Sequence, residues 1–392
     1  MSKLSNVSCY VTEKISVDNI DISEYITTDN LLQNKRGRVI AEKLPTQKVT
    51  KFKKDDILIA NIRPYLKKIW QADIDGGASS DVLVVRPNNL IDNNFLYYAL
   101  TQDSFFEYVM KGSKGTKMPR GDKSQIMNFV IPDLEIGEQI KIGKLLKSID
   151  QKIQINDQIN QELEAMAKTL YDYWFVKFDF PDQNGKTYKS SGGKMVYHPE
   201  LKREIPEGWG VEKLKYFSKY VSDKVESSEL NIENYVGTDN MIVDMGGIEL
   251  TTSIPKSGTS TKYSIGDILI SNIRPYFKKI WLSDRVGGCS SDVLCIRTKK
   301  IVSREFVFAT LARDDFFNYD VAGSKGSKMP RGDKKHIMEY PIVFDFEIAD
   351  QFSKIVRPIY EAVHKNYIQN QELIQLRDWL LPMLMNGQVK VE

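Results

Sequence analysis

A long internal duplication constrains this chain more than any other feature. Asn61-Ile62-Arg63-Pro64-Tyr65 returns as Asn272-Ile273-Arg274-Pro275-Tyr276, and at a constant offset of 211 the stretch from Asp56 to Arg86 matches Asp267 to Arg297 at about two-thirds of its positions. Residues 112–123, GSKGTKMPRGDK, return at 323–334 as GSKGSKMPRGDK, and YITTDN at 25–30 returns as YVGTDN at 235–240. The period is far too long for a solenoid, so each copy is a domain. With 392 residues, two domains of ordinary size can each bury a core.

Bulk properties decide little about partners. A net charge of +3 is only mildly basic, so any case for a polyanionic ligand has to be local. Cys9, Cys289 and Cys295 cannot form a disulfide framework and lack zinc-ligand spacing, which fits a reducing cytosol. The N-terminus has no apolar signal core and no run of 18 apolar residues occurs, so a cytoplasmic protein without a membrane span is expected.

Within each copy the texture predicts a sheet-rich core. Asp56–Ala60 and Val82–Val85 have the short, branched, apolar composition of buried strands, with Gly76-Gly77 read as a turn between them. Residues 93–110 have helical spacing, with Phe95, Tyr98, Ala99, Phe105 and Phe106 on the side that belongs in a core. The glycines and proline of 112–123 predict a loop.

After Pro132 the periodicity becomes heptad. Ile142, Ile149, Asn156, Leu163 and Leu170 fall on one seam position and Leu146, Ile153, Asn160, Ala167 and Trp174 on the other, predicting one helix of about 37 residues and about 55 Å. The second copy closes the chain at an offset of 210, with Phe352, Ile359, Asn366, Leu373 and Leu380 on the first seam and Val356, Val363 and Asn370 on the other. Paired asparagines at matched places predict a polar layer that sets register. Pro358 has no counterpart in the first helix and is expected to start or kink the second one. The stretch between the first helix and the second domain has turn chemistry throughout.

The order of domain, long helix, domain, long helix resembles the specificity (S) subunit of type I restriction-modification systems, and the resemblance covers the whole chain. It is carried by Ile149-Asp150-x-Lys152-Ile153-x2-Asn156, Leu163-Glu164-x2-Ala167, Trp174-Phe175-x2-Phe178, Ile205-Pro206-x-Gly208-Trp209, Arg377-Asp378-x-Leu380-Leu381-Pro382-x-Leu384 and the GSxG(T/S)xMPR block of each copy. It implies an α+β fold: two similar sheet-rich target-recognition domains separated by two long antiparallel, coiled-coil helices with pseudo-two-fold symmetry. The expected boundaries are 1–134 for the first recognition domain, 135–178 for the central helix, 179–345 for linker and second recognition domain, and 346–392 for the C-terminal helix. The resemblance also implies double-stranded DNA with a bipartite target, two methyltransferase (M) subunits and restriction/translocase (R) subunits as partners. S-adenosylmethionine, ATP and Mg2+ would belong to those partners. No catalytic, cofactor or metal residue is expected here, and neither an adenine-methyltransferase signature nor a Walker loop occurs in the chain.

Reading DNA needs cations that neutralise phosphates and side chains that reach base edges. In the loop, Ser113, Lys114, Thr116, Lys117, Arg120 and Lys123 are candidates, with Ser324, Lys325, Ser327, Lys328, Arg331 and Lys334 in the second copy. The alternative is a solvated basic turn whose Met118-Pro119 serves the fold. In the first repeated segment, Arg63 suits bidentate contact to guanine and Lys67 and Lys68 suit phosphates. Alternation after Pro64 would put Tyr65, Lys67 and Ile69 on one face; Arg274, Tyr276, Lys278 and Lys279 correspond in the second copy. There the alternative is that Arg63 forms a structural ion pair while Tyr65 and Trp70 are packed. Ser79-Ser80-Asp81 and Ser290-Ser291-Asp292 read as turn chemistry. The helix–helix seam is assigned to Ile149, Ile153, Asn156, Asn160 and Leu163 against Ile359, Val363, Asn366, Asn370 and Leu373.

Two other readings stand beside this one. A protein-interaction scaffold, with two modules on a coiled coil and merely superficial basic loops, is the alternative function. Pro181-Asp182 followed by Glu200-Leu201-Lys202 superficially matches a metal-dependent nuclease pattern, but it lies in the linker and in one repeat only. If the recognition domains are modular, exchanging residues 1–132 for those of another family member changes one half of the methylated DNA motif. Methylation mapping that showed both halves changed would refute modularity.

Overall fold

The structure is a computed structural model, and it describes residues 2–391. The chain divides into two compact units, Met1–Asn156 with Ile368–Glu392 and Asp157–Tyr367, so each long helix contributes one part to each unit.

In the first unit, a four-stranded sheet runs in the order Ser8–Tyr10, Val82–Pro87, Ile57–Ala60, Ile69–Gln71, with every pair antiparallel. Side chains alternate across it with period two. Ile57, Ile59, Ile69, Leu83 and Val85 pack against the helices Asn93–Thr101 and Asp103–Lys111. Leu58, Ala60, Trp70, Val82 and Val84 face the other way, onto Ile26 and Phe52 of a second sheet. Both faces are covered, which is why these strands read as unbroken apolar runs. The second unit repeats the plan with Ser218–Tyr220, Val293–Thr298, Ile268–Ser271 and Ile280–Leu282.

The ends of the matched stretch meet in space. Arg86 donates from Nε and Nη2 to the two carboxylate oxygens of buried Asp56 at 2.7 and 2.6 Å, and Arg297 does the same to Asp267 at 2.8 and 2.7 Å. A bidentate pair over a buried carboxylate ties the first strand of the duplicated stretch to its last.

Two local expectations need correction. Gly76-Gly77 are not a turn; they lie in the strand Gly76–Ala78 of the second sheet, in the order Lys14–Ile15, Val49–Phe52, Gly76–Ala78, Tyr25–Ile26. A Cβ on Gly76 would stand 2.2 Å from the Glu24 carbonyl oxygen, and one on Gly287 would stand 2.0 Å from that of Asn234, so close backbone approach is the reason for glycine. Residues 93–110 are two helices, because Gln102 is extended (φ −63°, ψ 146°) between them. All five aromatic and apolar residues expected in the core, from Phe95 to Phe106, are buried.

The first long helix spans Ile136–Tyr171 and passes into a π-helical turn at Asp172–Val176; the second spans Phe346–Met385 without interruption. Pro358 therefore neither starts nor breaks it. It is exposed, as is Lys354, whose carbonyl loses its helical donor, so water can satisfy that group. Within the first unit Ile142 and Leu146 share a core with Leu381, Leu384 and Met385. Within the second, Tyr171 and Trp174 pack edge-on against Phe352. The helices are antiparallel in each.

At mid-seam the contacts turn polar. Asn156 is fully buried, and its Nδ2 donates to Asn370 Oδ1 at 2.8 Å and to Gln369 Oε1 at 2.9 Å. Asn366 Nδ2 donates to Asn160 Oδ1 at 2.9 Å. Since Asn366 repeats Asn156 and Asn370 repeats Asn160, each asparagine meets the repeat of the other, as in an isologous contact. The flanking seam residues Ile153, Leu163, Ile359, Val363 and Leu373 are half-buried, and Ile149 is buried. Asn156→Leu should cost about 1–3 kcal/mol by removing the buried amide that donates to Asn370 Oδ1, whereas Asn156→Leu with Asn370→Leu should recover most of that. Urea unfolding of the parent, Asn156→Leu, Asn370→Leu and the double variant measures both; a double-variant cost equal to the sum of the two single costs would show that the pair is not coupled.

Candidate nucleic-acid interface

The two repeated segments, about 50 residues apart in each copy, form one surface. The strand Ile57–Ala60 ends at Asn61, and Arg63 takes up a left-handed backbone (φ 53°, ψ 61°) ahead of a 3-10 turn at Pro64–Leu66; Lys67 is left-handed again. The β-like alternation expected after Pro64 is thus absent until Ile69, because proline at the first turn position favours the 3-10 geometry. Arg274 and Lys278 have the same conformation.

The basic loop docks on this turn through its backbone. Lys114 and Arg120 exchange N–H···O bonds of 2.9 Å, closing a hairpin around Gly115, whose φ is +95°. Arg63 N–H then donates to Pro119 O at 2.8 Å and Gly121 N–H to Asn61 O at 3.2 Å. A Cβ on Gly121 would come within 2.8 Å of Asn61 Oδ1, so only glycine lets the two segments approach. The second copy repeats the pattern: Arg274 to Pro330 at 2.7 Å and Gly332 to Asn272 at 3.2 Å. Asp122 and Asp333 cap the helices that follow, Lys123–Ile126 and Lys334–Met338. Asp333 is held down to about 2 by hydrogen bonds from Lys325 and from the His336 and Lys335 amides.

The candidate residues now separate. Arg63, Tyr65, Lys114, Thr116, Lys117, Arg120 and Lys123 are exposed. Among the described residues Arg63 and Lys117 make no ion pair, while Arg120 reaches Asp81 at 3.2 Å and Lys114 reaches Asp122 at 3.4 Å with most of each cation still in solvent. Arg331 and Lys325 pair likewise with Asp292 and Asp333, at 3.1 and 2.6 Å, and Lys328, Ser327 and Lys334 are exposed. Tyr65 and Tyr276 are about half exposed, whereas Trp70 is buried. Arg274 is half-buried.

Other candidates are engaged inside their domains. Lys68 Nζ donates to Thr28 O and Lys279 Nζ to Thr238 O, and burial holds both ammonium groups below their usual range. Lys67 pairs with Asp103 at 2.9 Å and Lys278 with Asp314 at 2.6 Å. Ser113 and Ser324 donate to the carbonyls of Met110 and Val321 at the preceding helix ends. The Ser-Ser-Asp segments are turns whose Asp81 and Asp292 carbonyls accept from Asn61 and Asn272. Asp182 also serves a turn, accepting from the Asn184 and Lys186 amides at 2.8 Å.

Sequence reasoning missed a third segment of this surface. The turn at Asn34-Lys35, both left-handed, donates its amides to Leu66 O and Lys67 O at 2.9 and 3.0 Å. Asp244-Met245 does the same to Phe277 O and Lys278 O at 2.9 and 2.8 Å. The side chains differ between the copies, so alignment of the repeats passed over it; the matched Gly37 and Gly247 were the available signal.

Sequence comparison places this geometry. A family model described as the type I restriction modification DNA specificity domain matches residues 8–165. The HindI type I restriction enzyme specificity subunit of Haemophilus influenzae is 23% identical over 98% of this chain and 98% of its own. Along its length this chain is similar to type I restriction enzyme specificity subunits. The MjaIX type I restriction enzyme specificity subunit of Methanocaldococcus jannaschii is 24% identical over 78% of this chain and 71% of its own length. The fold of a specificity subunit recurs in the crystal structure of the S subunit from M. genitalium, with a TM-score of 0.61 at 15% identity, covering 98% of this chain and 95% of that one.

One difference lies beneath the two interfaces. Val109, buried under Gly121, is replaced at the matched position by Asp320, fully buried under Gly332 with neither carboxylate oxygen hydrogen-bonded among the described residues. Burial pushes its pKa up to about 6, opposed by nearby His336. Between pH 4 and 6 the folded chain holds a proton that the unfolded chain has lost, so stability falls as pH rises through that window; a shift of about two units is worth about 3 kcal/mol. Asp320→Val should therefore stabilise the protein at pH 8 and much less at pH 4.5, as read by urea midpoints. An equal effect at both pH values would mean that the carboxylate does not titrate there.

Proposed function

We propose that this chain is the non-catalytic DNA sequence-specificity subunit of a type I restriction-modification complex, reading a bipartite target with one recognition domain per half-site. The observation that carries this reading is the composite surface built twice, in which an arginine, exposed at Arg63 and half-buried at Arg274, and an exposed tyrosine stand beside a basic hairpin held by backbone hydrogen bonds. Lys114, Lys117 and Arg120 supply phosphate contacts that position the domain, and Arg63 and Tyr65 are placed to reach base edges. Arg274, Tyr276, Lys325, Lys328 and Arg331 do the same in the second domain. Lys67, Lys68 and their repeats shape the turn instead.

The domains, as proposed, are modules at 1–134 and 179–345 with the helices 135–178 and 346–392 as connectors. Two methyltransferase subunits dock on the helices, and restriction/translocase subunits join for cleavage. Exposed Ile155, Ile159 and Met166 on the first helix, and Ile374, Leu376 and Trp379 on the second, offer apolar area for such partners. S-adenosylmethionine, ATP and Mg2+ act in those subunits, and the complex works in the cytoplasm. No helix among the described residues is long and apolar enough to cross a membrane.

Matched readers imply matched base pairs, so the two half-sites should share part of their sequence in inverted orientation. Arg63→Ala is expected to relax one position of one half-site, and Arg274→Ala the same position of the other, in methylation maps made with the M subunit. Lys117→Ala should weaken binding to all sequences alike and lower the salt slope by about one. Mobility shifts across salt concentrations test this, and absence of DNA binding with and without the M subunit would overturn the function.

A further inference from the structure

The two recognition surfaces are nearly the same where they were legible as repeats and different at the third segment. In both domains the backbone of this turn has one geometry. Leu32 N–H donates to Gly37 O at 2.8 Å and Ile242 N–H to Gly247 O at 2.9 Å; the two left-handed residues sit at φ 56° and 63° in one copy and 53° and 65° in the other. Both turns hang on the carbonyls that directly follow the exposed Tyr65 or Tyr276. The frame is constant while the side chains change.

The change is chemical as well as local. From residue 34 to 39 the first copy carries Lys35, Arg36 and Arg38 and no acid; from 244 to 249 the second carries Asp244 and Glu249 and no cation. Some of these positions support the fold. Arg38 stacks on Trp70 at 4.8 Å and donates to Ser23 O at 2.7 Å, and buried Ile248 takes its place. Lys35 pairs with Asp103 at 3.2 Å. The positions that face solvent in both copies are Gln33, Asn34 and Arg36 against Val243, Asp244 and Gly246.

We infer that this turn is the element that makes the two half-sites differ. Accepting the DNA-reading function proposed above, the shared surface reads the base pairs common to both halves, and the turn reads those that distinguish them. Gln33, Asn34 and Arg36 present donors, which suit the N7 and O6 acceptors of guanine and the N7/N6 edge of adenine. Val243 and Asp244 present a methyl surface and an acceptor, which suit the thymine methyl and the cytosine amino group. The half-site of the first domain therefore offers purine acceptor edges under its turn, and that of the second offers a thymine or cytosine at the matching place.

A reciprocal graft tests the inference in the full chain assembled with its M subunits. One variant carries Gln33→Val, Asn34→Asp and Arg36→Gly. The other carries Val243→Gln, Asp244→Asn and Gly246→Arg, with Ile242→Leu because a Cβ at Gly246 would stand 2.6 Å from the Ile242 side chain. Methylated motifs are mapped by single-molecule sequencing of DNA treated with each complex. Each graft should change only its own half-site, at base pairs where the parental halves differ, towards the sequence of the other half. Preference for the parental base pair should fall at least about tenfold. Grafts that methylate the parental motif unchanged overturn the inference and leave the DNA-reading function standing. A parental complex whose methylation does not depend on this chain overturns that function instead. Should one graft yield no methylation, the other decides: a parental motif from it, or silence from both, counts against the turn as a specificity element.

Discussion

Each unit depends on an antiparallel contact between segments of the two long helices. Each recognition domain has a sandwich core of its own, but its helical layer is completed by segments distant in the chain: Leu381 and Leu384 close the core of the first unit, and Phe352 closes that of the second. The seam needs a fixed register, since sliding by a turn would present different side chains to both cores. Hydrogen-bonded asparagines supply it. Asn156 is the most deeply buried polar group of its helix, and its amide finds acceptors only where Asn370 stands opposite.

Upon that frame, each domain builds its candidate nucleic-acid surface from backbone rather than side-chain contacts. The left-handed residues Arg63 and Arg274 turn the chain out of a buried strand, and their amides donate to the Pro119 and Pro330 carbonyls of the basic loop. Because main-chain groups make the joints, side chains on the outside are released for a ligand. The cost is a demand for glycine at Gly121 and Gly332, where any Cβ would strike the asparagine that begins the turn. Lysines that look like ligands in the linear motif are consumed in the same construction: Lys68 and Lys279 hold the YITTDN and YVGTDN loops by their carbonyls.

Duplication allows parts of one solution to drift while the frame stays. Asp320 beneath the second interface and the acidic turn at 244–249 are both departures from the first copy, one buried and one exposed. The buried change costs stability at neutral pH, and the exposed one alters what the surface offers to a partner. A frame made of backbone hydrogen bonds tolerates both, since neither removes a main-chain donor or acceptor.

The linear sequence by itself determined the duplication, the strand segments with two buried faces, the heptad helices with their paired asparagines, and the resemblance to a family. These properties live in periodicity and in repeated residue identity, which survive without knowledge of contacts. Only the tertiary structure decided that the Asn-Ile-Arg-Pro-Tyr turn and the GSKG hairpin form one surface, that Arg63 makes no ion pair among the described residues while Lys67 and Lys68 are engaged, and that a third turn joins them. Pro358 inside an unbroken helix belongs to the same class, as its tolerance rests on which side of the helix meets solvent. The physical reason is common to all: which groups spend their charge or hydrogen bonds internally is settled by neighbours brought together through folding, and single-chain patterns carry no record of that expenditure.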